Sequence, residues 1–343
     1  MKAAELLANH EVVALPSETV YGLAGNAFSA DAVAKIFKAK DRPTFDPLIV
    51  HVADSKLEVL VAKKIISEQV LSWPSASLIN QALKKFWPGP LTLVLPRGSA
   101  IPDAVTSGQN TVGVRMPAHA LFLELLGKLS FPLAAPSANR FGRISPTQAA
   151  HVVAELDGRI AAVLDGGPCS VGVESTIIQI NDPLEIKLLR PGKIGIEELE
   201  NHFRVKISVH AGLGETQQKI LAPGLLESHY SPRKPLILIP HSFKERNAVL
   251  NFLKSYPLDE KYGVMGMSET PSNLPFQKIE VREVLSEKNS LAEMANRLFA
   301  TLRDLDENPE VETILVDLPV GDSPLVSALR DRLRRASRNK PVI

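Results

Sequence analysis

The chain has 343 residues, enough for about two domains, with 45% hydrophobic and 22% charged residues. Lys plus Arg is 39 and Asp plus Glu is 38, so no global field points to a nucleic acid or a membrane, and any anion site must rest on local clusters of basic residues. Cys169 is the one cysteine, which excludes an intrachain disulfide and a Cys-rich zinc site and fits a reducing compartment.

The first ten residues have a short apolar stretch interrupted by Glu5, which does not read as a signal peptide. No run approaches the ~20 apolar residues needed to span a bilayer, so a cytoplasmic protein is expected. Short apolar runs then alternate with amphipathic segments, the pattern of an α/β protein. Strands are predicted at 11–15, 47–52, 91–95, 111–116, 161–164, 176–180 and 185–189. Helices are predicted at 30–40, 77–86, 119–128, 146–156 and 196–203, with Ser145 suited to an N-cap and Pro146 to a first turn. The pair 176–180 and 185–189 is joined by Asn181-Asp182-Pro183, a hairpin signal, so a mixed sheet is expected.

Between Gly212 and Pro235 the chain is rich in glycine and proline and reads as a linker. The domain division is therefore 1–210, a linker at 211–233, and a small α/β domain at 234–343. In that last part strands are predicted at 235–240, 262–267 and 313–318, and helices at 290–305 and 324–336. The first of these helices carries Leu291, Met294, Leu298, Leu302 and Leu305 on one stripe. This domain reads as Rossmann-like but lacks a Gly-rich dinucleotide fingerprint.

No Walker A sequence, Gly-x-Ser-x-Gly elbow or His-Glu-x-x-His pair occurs. Five other segments concentrate polar chemistry. Pro16-Ser17-Glu18-Thr19-Val20-Tyr21-Gly22-Leu23 follows a strand and places hydroxyls beside a glycine; an ordinary strand-to-helix turn also accounts for it. Lys40-Asp41-Arg42-Pro43 puts two cations at a helix C-terminus, where the dipole favours them and where they can also grip phosphates. His51 follows in a strand, where a lone histidine says little.

Thr111-Val112-Gly113-Val114-Arg115-Met116-Pro117 sets Arg115 on a strand, as an edge residue or aimed at a carboxylate. Ala134-Ala135-Pro136-Ser137-Ala138-Asn139, then Arg140, Arg143, Ser145 and a helix start, reads as a phosphate cradle. A capped helix explains Ser145 and Pro146 but not the other polar groups. Glu174-Ser175-Thr176-Ile177 and Leu189-Arg190-Pro191-Gly192 complete the set.

Taken in this order, the segments resemble the YrdC-type domain of threonylcarbamoyl-AMP synthases, and the whole chain resembles the two-domain form of that family. The motifs cover 10–232, including the interdomain signature Ala222-Pro223-Gly224 and Ser228-His229-Tyr230-Ser231-Pro232. The resemblance implies a twisted mixed sheet followed by a small Rossmann-like domain. It implies condensation of L-threonine, bicarbonate and ATP into threonylcarbamoyl-AMP and pyrophosphate, with Mg²⁺ as cofactor. The product would pass to a downstream tRNA threonylcarbamoyl transferase complex that modifies the adenine beside the anticodon.

By the same resemblance, Thr19, His51, Arg115, Ala135 and Ser175 line the threonine site. Arg42, Asp46, Thr111, Ser137, Ser145, Arg190, His229 and Tyr230 meet ATP. Lys40, Arg42 and Asn139 lie at the reacting phosphate, and no residue is assigned as a metal ligand. The chain departs from the family pattern at Asp46, where many members carry asparagine, and at Leu225-Leu226-Glu227, which replaces a basic stretch. Two other readings stand beside this one. One is an RNA-binding module, with Arg330, Arg332, Arg334, Arg335 and Arg338 on a C-terminal helix whose ordinary explanation is a solvated face. The other is a carbamoyl transferase that uses carbamoyl phosphate.

Overall fold

The computed structural model describes residues 2–183, 185–209, 223–224, 229–240, 242–257, 259–270, 274–275 and 278–337. Most of the 211–233 linker lies outside these residues, as do Ala222, Leu225-Leu226-Glu227, Ser228 and Arg338. The chain divides into two compact units. The first takes in Met1–Phe141, Ser145–Ser170 and Glu174–Leu226; the second takes in Gly142–Ile144, Val171–Val173 and Glu227–Ile343.

The first unit contains α1 (Lys2–Ala8), β1 (Val13–Leu15), β2 (Gly22–Asn26), α2 (Ala30–Lys40), β3 (Ile49–His51), α3 (Leu57–Ala62), α4 (Ala76–Phe86), β4 (Leu91–Pro96), α5 (Asp103–Thr106) and β5 (Thr111–Arg115). It continues with α6 (Ala120–Gly127), β6 (Leu133–Ala134), α7 (Ala149–Leu156), β7 (Ala162–Val163), β8 (Thr176–Asn181), β9 (Glu185–Arg190), α8 (Ile196–Phe203) and β10 (Ser208–Val209). Among the described residues its strands form one mixed sheet in the order β10-β9-β8-β4-β5-β3-β6-β2-β1-β7. The central strands β4, β5 and β3 are largely buried, as expected of a sheet covered on both sides, with the polar Thr92, Arg115 and His51 among their buried residues.

Two features of this sheet position side chains. β3 and β5 run parallel in a register that sets His51 beside Arg115. β8 and β9 form the predicted hairpin, with Ile177 opposite Arg190. Helix α2 is well specified: Ser29 caps it by accepting from the Ala32 N–H at 3.2 Å, and Asp41 ends it in the left-handed region at φ 52°. Its buried stripe is Val33, Ile36, Phe37 and Lys40, so a lysine occupies a position where the helical period calls for an apolar group.

The helix expected at 146–156 begins later, at Ala149, and its N-cap is Gln148 rather than Ser145. Tertiary partners take the residues that would have formed the first turn. Ser145 Oγ donates to Glu174 Oε1 at 2.6 Å, Pro146 O accepts from the Tyr21 N–H at 2.8 Å, and Thr147 O accepts from the Cys169 N–H at 2.9 Å. The segment 16–21 joins two antiparallel strands, β1 and β2, and leads into no helix.

In the second unit, β11 (Leu236–Ile239), α9 (Arg246–Leu253), β12 (Lys261–Gly266), β13 (Lys278–Val284), α10 (Leu291–Glu307), β14 (Thr313–Asp317) and α11 (Pro324–Ser337) follow one another. The four strands are all parallel, in the order β11-β14-β12-β13. Asp317, at the carboxyl end of β14, accepts backbone N–H groups from Phe243 at 3.0 Å and Met267 at 2.8 Å, tying together the segments that follow β11 and β12. Burial pushes its carboxyl up to about 6.

The C-terminal arginines do not form a solvated face. Arg332 is fully buried, Arg330 donates to Pro319 O at 3.0 Å, and Arg335 pairs with Asp331 at 2.9 Å. Arg334 is exposed. The helical period puts most of this arginine set against the unit itself, so the basic stripe that an RNA-binding reading needs is missing among the described residues. Nor is any helix among them long and apolar enough to cross a membrane.

Candidate active site

Buried charged and hydroxyl groups of the first unit gather around the ends of β3, β5 and β8 and the loops 17–19, 41–46 and 135–145, and two clusters stand out among them.

The first cluster centres on Arg115, which is 4% exposed. Its Nε donates to Gly89 O at 3.2 Å, its Nη1 donates to Thr19 Oγ1 at 3.0 Å, and its Nη2 lies 2.6 Å from Glu18 Oε1. Glu18 Oε2 in turn accepts from the Ala118 N–H at 3.1 Å. Ser17 Oγ lies 2.9 Å from Thr19 Oγ1 and accepts from the Thr19 and Val20 N–H groups, which folds 17–20 into a tight turn. His51 stacks on Phe122 with ring centroids 5.2 Å apart. Burial, and after it the nearby Arg115 charge, pull His51 down to about 3, so it is a neutral imidazole at physiological pH. The Ala135 N–H is taken by Ile49 O at 3.0 Å, so a backbone contact from Ala135 falls to its carbonyl.

The second cluster holds Lys40, Arg42, Asp46 and Arg190, close enough for their charges to act on one another. Lys40 Nζ donates to Ser137 O and Asn139 O, both at 2.5 Å, and so ties the loop after β6 to the end of α2. Burial, then the Arg42 charge, hold the Lys40 ammonium well below the usual lysine range. Arg42 donates to Asp46 O at 3.2 Å and Pro47 O at 2.9 Å, and its Nη2 lies 2.8 Å from Asp46 Oδ2. Burial raises the Asp46 carboxyl, while Arg42, Lys40 and Arg190 oppose that rise. Glu155 also acts on Lys40, so the buried Arg42 and Arg190 guanidiniums give the cluster its cationic character, which is what a polyanion needs.

Ser175 is bonded to the second cluster. Its Oγ is 2.8 Å from Thr92 Oγ1 and accepts from Arg190 Nη2 at 3.1 Å, while Arg190 Nε donates to Ser175 O at 3.1 Å. Gly192 allows this closure: a Cβ there would lie 2.4 Å from the Thr176 nitrogen. Arg190 Nη1 also donates to Pro223 O at 3.0 Å. Thr111, at the other end of β5 from Arg115, lines a small cleft with Thr92, Gly113, Pro47 and Pro223.

Thr19, His51 and Arg115 thus gather in the first cluster, with Ala135 bonded to the strand of His51; Lys40, Arg42, Asp46, Arg190 and the Ser137 and Asn139 carbonyls gather in the second, to which Ser175 is also bonded, while Ser145 pairs with Glu174. His229 and Tyr230 are in the second unit. There the Tyr230 ring stacks on Phe299 at 5.5 Å, meets His229 edge-on at 4.1 Å, and lies 5.4 Å from the Arg332 guanidinium carbon. Two carboxylates escaped the residue-by-residue reading. Glu18 and Glu174 stood inside quoted motifs, but only long-range pairing reveals that one neutralises Arg115 and the other takes the Ser145 hydroxyl.

A family model described as telomere recombination, covering Sua5, YciO and YrdC proteins, matches residues 5–192. A second, described as the threonylcarbamoyl-AMP synthase C-terminal domain, matches residues 194–338. A Bacillus subtilis (strain 168) protein named threonylcarbamoyl-AMP synthase is 38% identical, over 99% of this chain and 93% of that protein. A Schizosaccharomyces pombe protein of the same name is 37% identical, over 98% of this chain and 87% of that one. The crystal structure of Pyrococcus abyssi Sua5 complexed with L-threonine superposes with a TM-score of 0.84 at 36% identity, covering 98% of this chain and 93% of that one.

Proposed function

The chain belongs to the threonylcarbamoyl-AMP synthase family, and from that premise we propose that it is an L-threonylcarbamoyladenylate synthase. It is a nucleotidyltransferase that joins L-threonine, bicarbonate and ATP and releases pyrophosphate, in the service of tRNA modification. The observation that carries this reading is the pair of buried clusters: one arginine-centred end suited to an amino-acid carboxylate, and one cationic end, with Ser175 bonded to its Arg190, suited to a triphosphate.

Arg115 binds the threonine carboxylate with Thr19 beside it, and the substrate competes there with Glu18. His51, uncharged and flat against Phe122, forms part of a dry wall. The threonine amine, once neutral, attacks CO₂ derived from bicarbonate and forms the N–C bond of a carbamate, losing a proton. A carbamate oxygen then attacks the α-phosphorus of ATP, the α–β phosphoanhydride bond breaks, and pyrophosphate leaves with its electron pair. Charge develops on the phosphates in that step, so fixed cations contribute more than a strong base would. Arg42 and Arg190 provide them, and Lys40 holds the Ser137 and Asn139 backbone in place. Glu174 orients the Ser145 hydroxyl.

Magnesium enters as the partner of ATP. The donor set fits that role: the second cluster is cationic, and among the described residues no group of three or more His, Cys, Asp and Glu side chains is placed to hold a metal. When bound on the phosphates, the ion supplies further neutralisation of the departing pyrophosphate. The mixed anhydride is reactive, so a cytoplasmic transferase acting on tRNA is its expected consumer.

The test is pyrophosphate release from Mg·ATP by the purified chain. Release that needs both L-threonine and bicarbonate, and disappears in a folded Arg115→Lys variant, supports the reading. Phosphate release from carbamoyl phosphate in place of pyrophosphate release from ATP would replace it with the carbamoyl-transferase alternative.

A further inference from the structure

The second unit contains more than the C-terminal part of the chain. It includes Gly142–Ile144 and Val171–Val173, two short excursions of the N-terminal sequence. Each adjoins residues of the candidate site. Asn139 lies three positions before the first and Ser145 directly after it; Glu174 and Ser175 directly follow the second.

Both excursions are held by one helix. Arg303 Nη2 in α10 donates to Ile144 O, and Asp306 Oδ2 accepts from Arg143 Nη2 at 3.0 Å. A Cβ on Gly172 would lie 2.4 Å from Ala295 O and from the Asn296 Cα, so only glycine, here at φ 83°, lets that excursion touch the helix backbone. The segment that carries His229 and Tyr230 is docked there too. Tyr230 stacks on Phe299, and the Ser231 N–H donates to Gly142 O at 2.8 Å. Asp306 Oδ1 accepts the N–H groups of Arg233 at 2.6 Å and Lys234 at 2.9 Å. Asn296, Phe299, Arg303 and Asp306 are spaced by three or four residues and so share one face of the helix.

Asp306 is out of place by local rules. A carboxylate in the last turn of a helix opposes the macrodipole, and this one is only 8% exposed. Its bonds to Arg143, Arg233 and Lys234 offset that cost, and they join a site-bearing excursion to the segment that follows Tyr230.

We propose that this face of α10 is the frame that sets the two site-bearing excursions, with Asp306 as a positioning residue for the reaction. The inference rests on the functional reading above for its kinetic part only.

The experiment combines amide hydrogen exchange with steady-state kinetics on the full chain. Its variants are Asp306→Ala, Asp306→Asn, Arg143→Ala, the Arg143→Ala/Asp306→Ala double variant, and Glu307→Ala at the exposed neighbour as control. In Asp306→Ala, exchange quickens at Ser231, Arg233, Lys234 and in peptides spanning 139–147. The KM for ATP rises roughly tenfold or more, while the KM for threonine stays put. Asp306→Asn keeps an acceptor for the two N–H groups and recovers their protection. The double variant falls short of the sum of the two single effects, because the Arg143–Asp306 bond is lost in each of them.

Additive effects, or unchanged exchange in 139–147, would overturn the proposal, as would faster exchange with every kinetic constant intact. If Asp306→Ala does not fold, Arg143→Ala, on the more exposed partner, decides by the same readouts. A wild-type chain without threonine-dependent turnover would sink the functional reading instead, and the exchange pattern would then decide the framing role by itself.

Discussion

Arg115 and Arg42 mark the two ends of the candidate site, and each is buried against an internal carboxylate. The carboxylates differ. Glu18 has its second oxygen fixed by the Ala118 N–H and sits in a turn built by Ser17. Asp46 is fully buried, its side chain accepts no hydrogen bond beyond the Arg42 ion pair, and burial raises its proton affinity. Glu18 is therefore a fixed counter-charge that holds the amino-acid end ready. Asp46 is a counter-charge whose ionised form burial disfavours. A buried ion pair is weak evidence for stability, yet removing one partner is strongly destabilising because the other is stranded.

The largest effect is expected at the fixed end. Arg115→Ala strands Glu18 and is predicted to lower unfolding free energy by about 3–5 kcal/mol. Adding Glu18→Gln should restore much of that stability in denaturant titrations without restoring threonine binding. If the double variant binds threonine like wild type, Arg115 is a structural residue only.

A smaller effect is expected at the Asp46 end. Asp46→Asn removes a carboxylate from a cationic cluster and should tighten ATP binding by roughly threefold to tenfold in calorimetry. In the wild-type chain the same tightening should appear as pH falls and Asp46 takes up a proton; in the Asn variant that pH dependence should flatten. Weaker ATP binding by Asp46→Asn would mean that the carboxylate contacts the nucleotide favourably.

A further effect, read in the slope of stability against pH, concerns His51. Its folded value of about 3 lies below the ordinary 6.5, so the unfolded chain takes up a proton that the folded chain refuses. Its contribution to stability is complete above pH 6.5 and is lost as pH falls from there toward about 3, with a slope of at most about 1.4 kcal/mol per pH unit. His51→Gln should make the measured stability less steep across that window. An unchanged slope would show that His51 titrates alike in the folded and the unfolded chain.

Much of this arrangement is legible in the sequence where a local rule governs it. Helix α2 starts at its serine cap and ends at Lys40 as its period and cap dictate, and the β8–β9 hairpin follows from its turn residues. Local rules fail where tertiary bonds prevail. Ser145 and Pro146 look like a helix start, but Glu174 and Tyr21 claim them. β6 and β10 are two residues each, too short for an alternating pattern to show. Glu18 is indistinguishable from its neighbours until β3 and β5 pair. A charged residue on an apolar helical stripe marks a buried polar contact, at Lys40 and again in the Arg303 and Asp306 face of α10.

The claim that the two ends form one site is tested most directly by following the carbon that must join them. Incubating the chain with ¹³C-bicarbonate, L-threonine and Mg·ATP should give threonylcarbamoyl-AMP carrying one label, by mass spectrometry, together with equimolar pyrophosphate. Pyrophosphate or AMP formed with no labelled adenylate, or label incorporated without L-threonine, would contradict it.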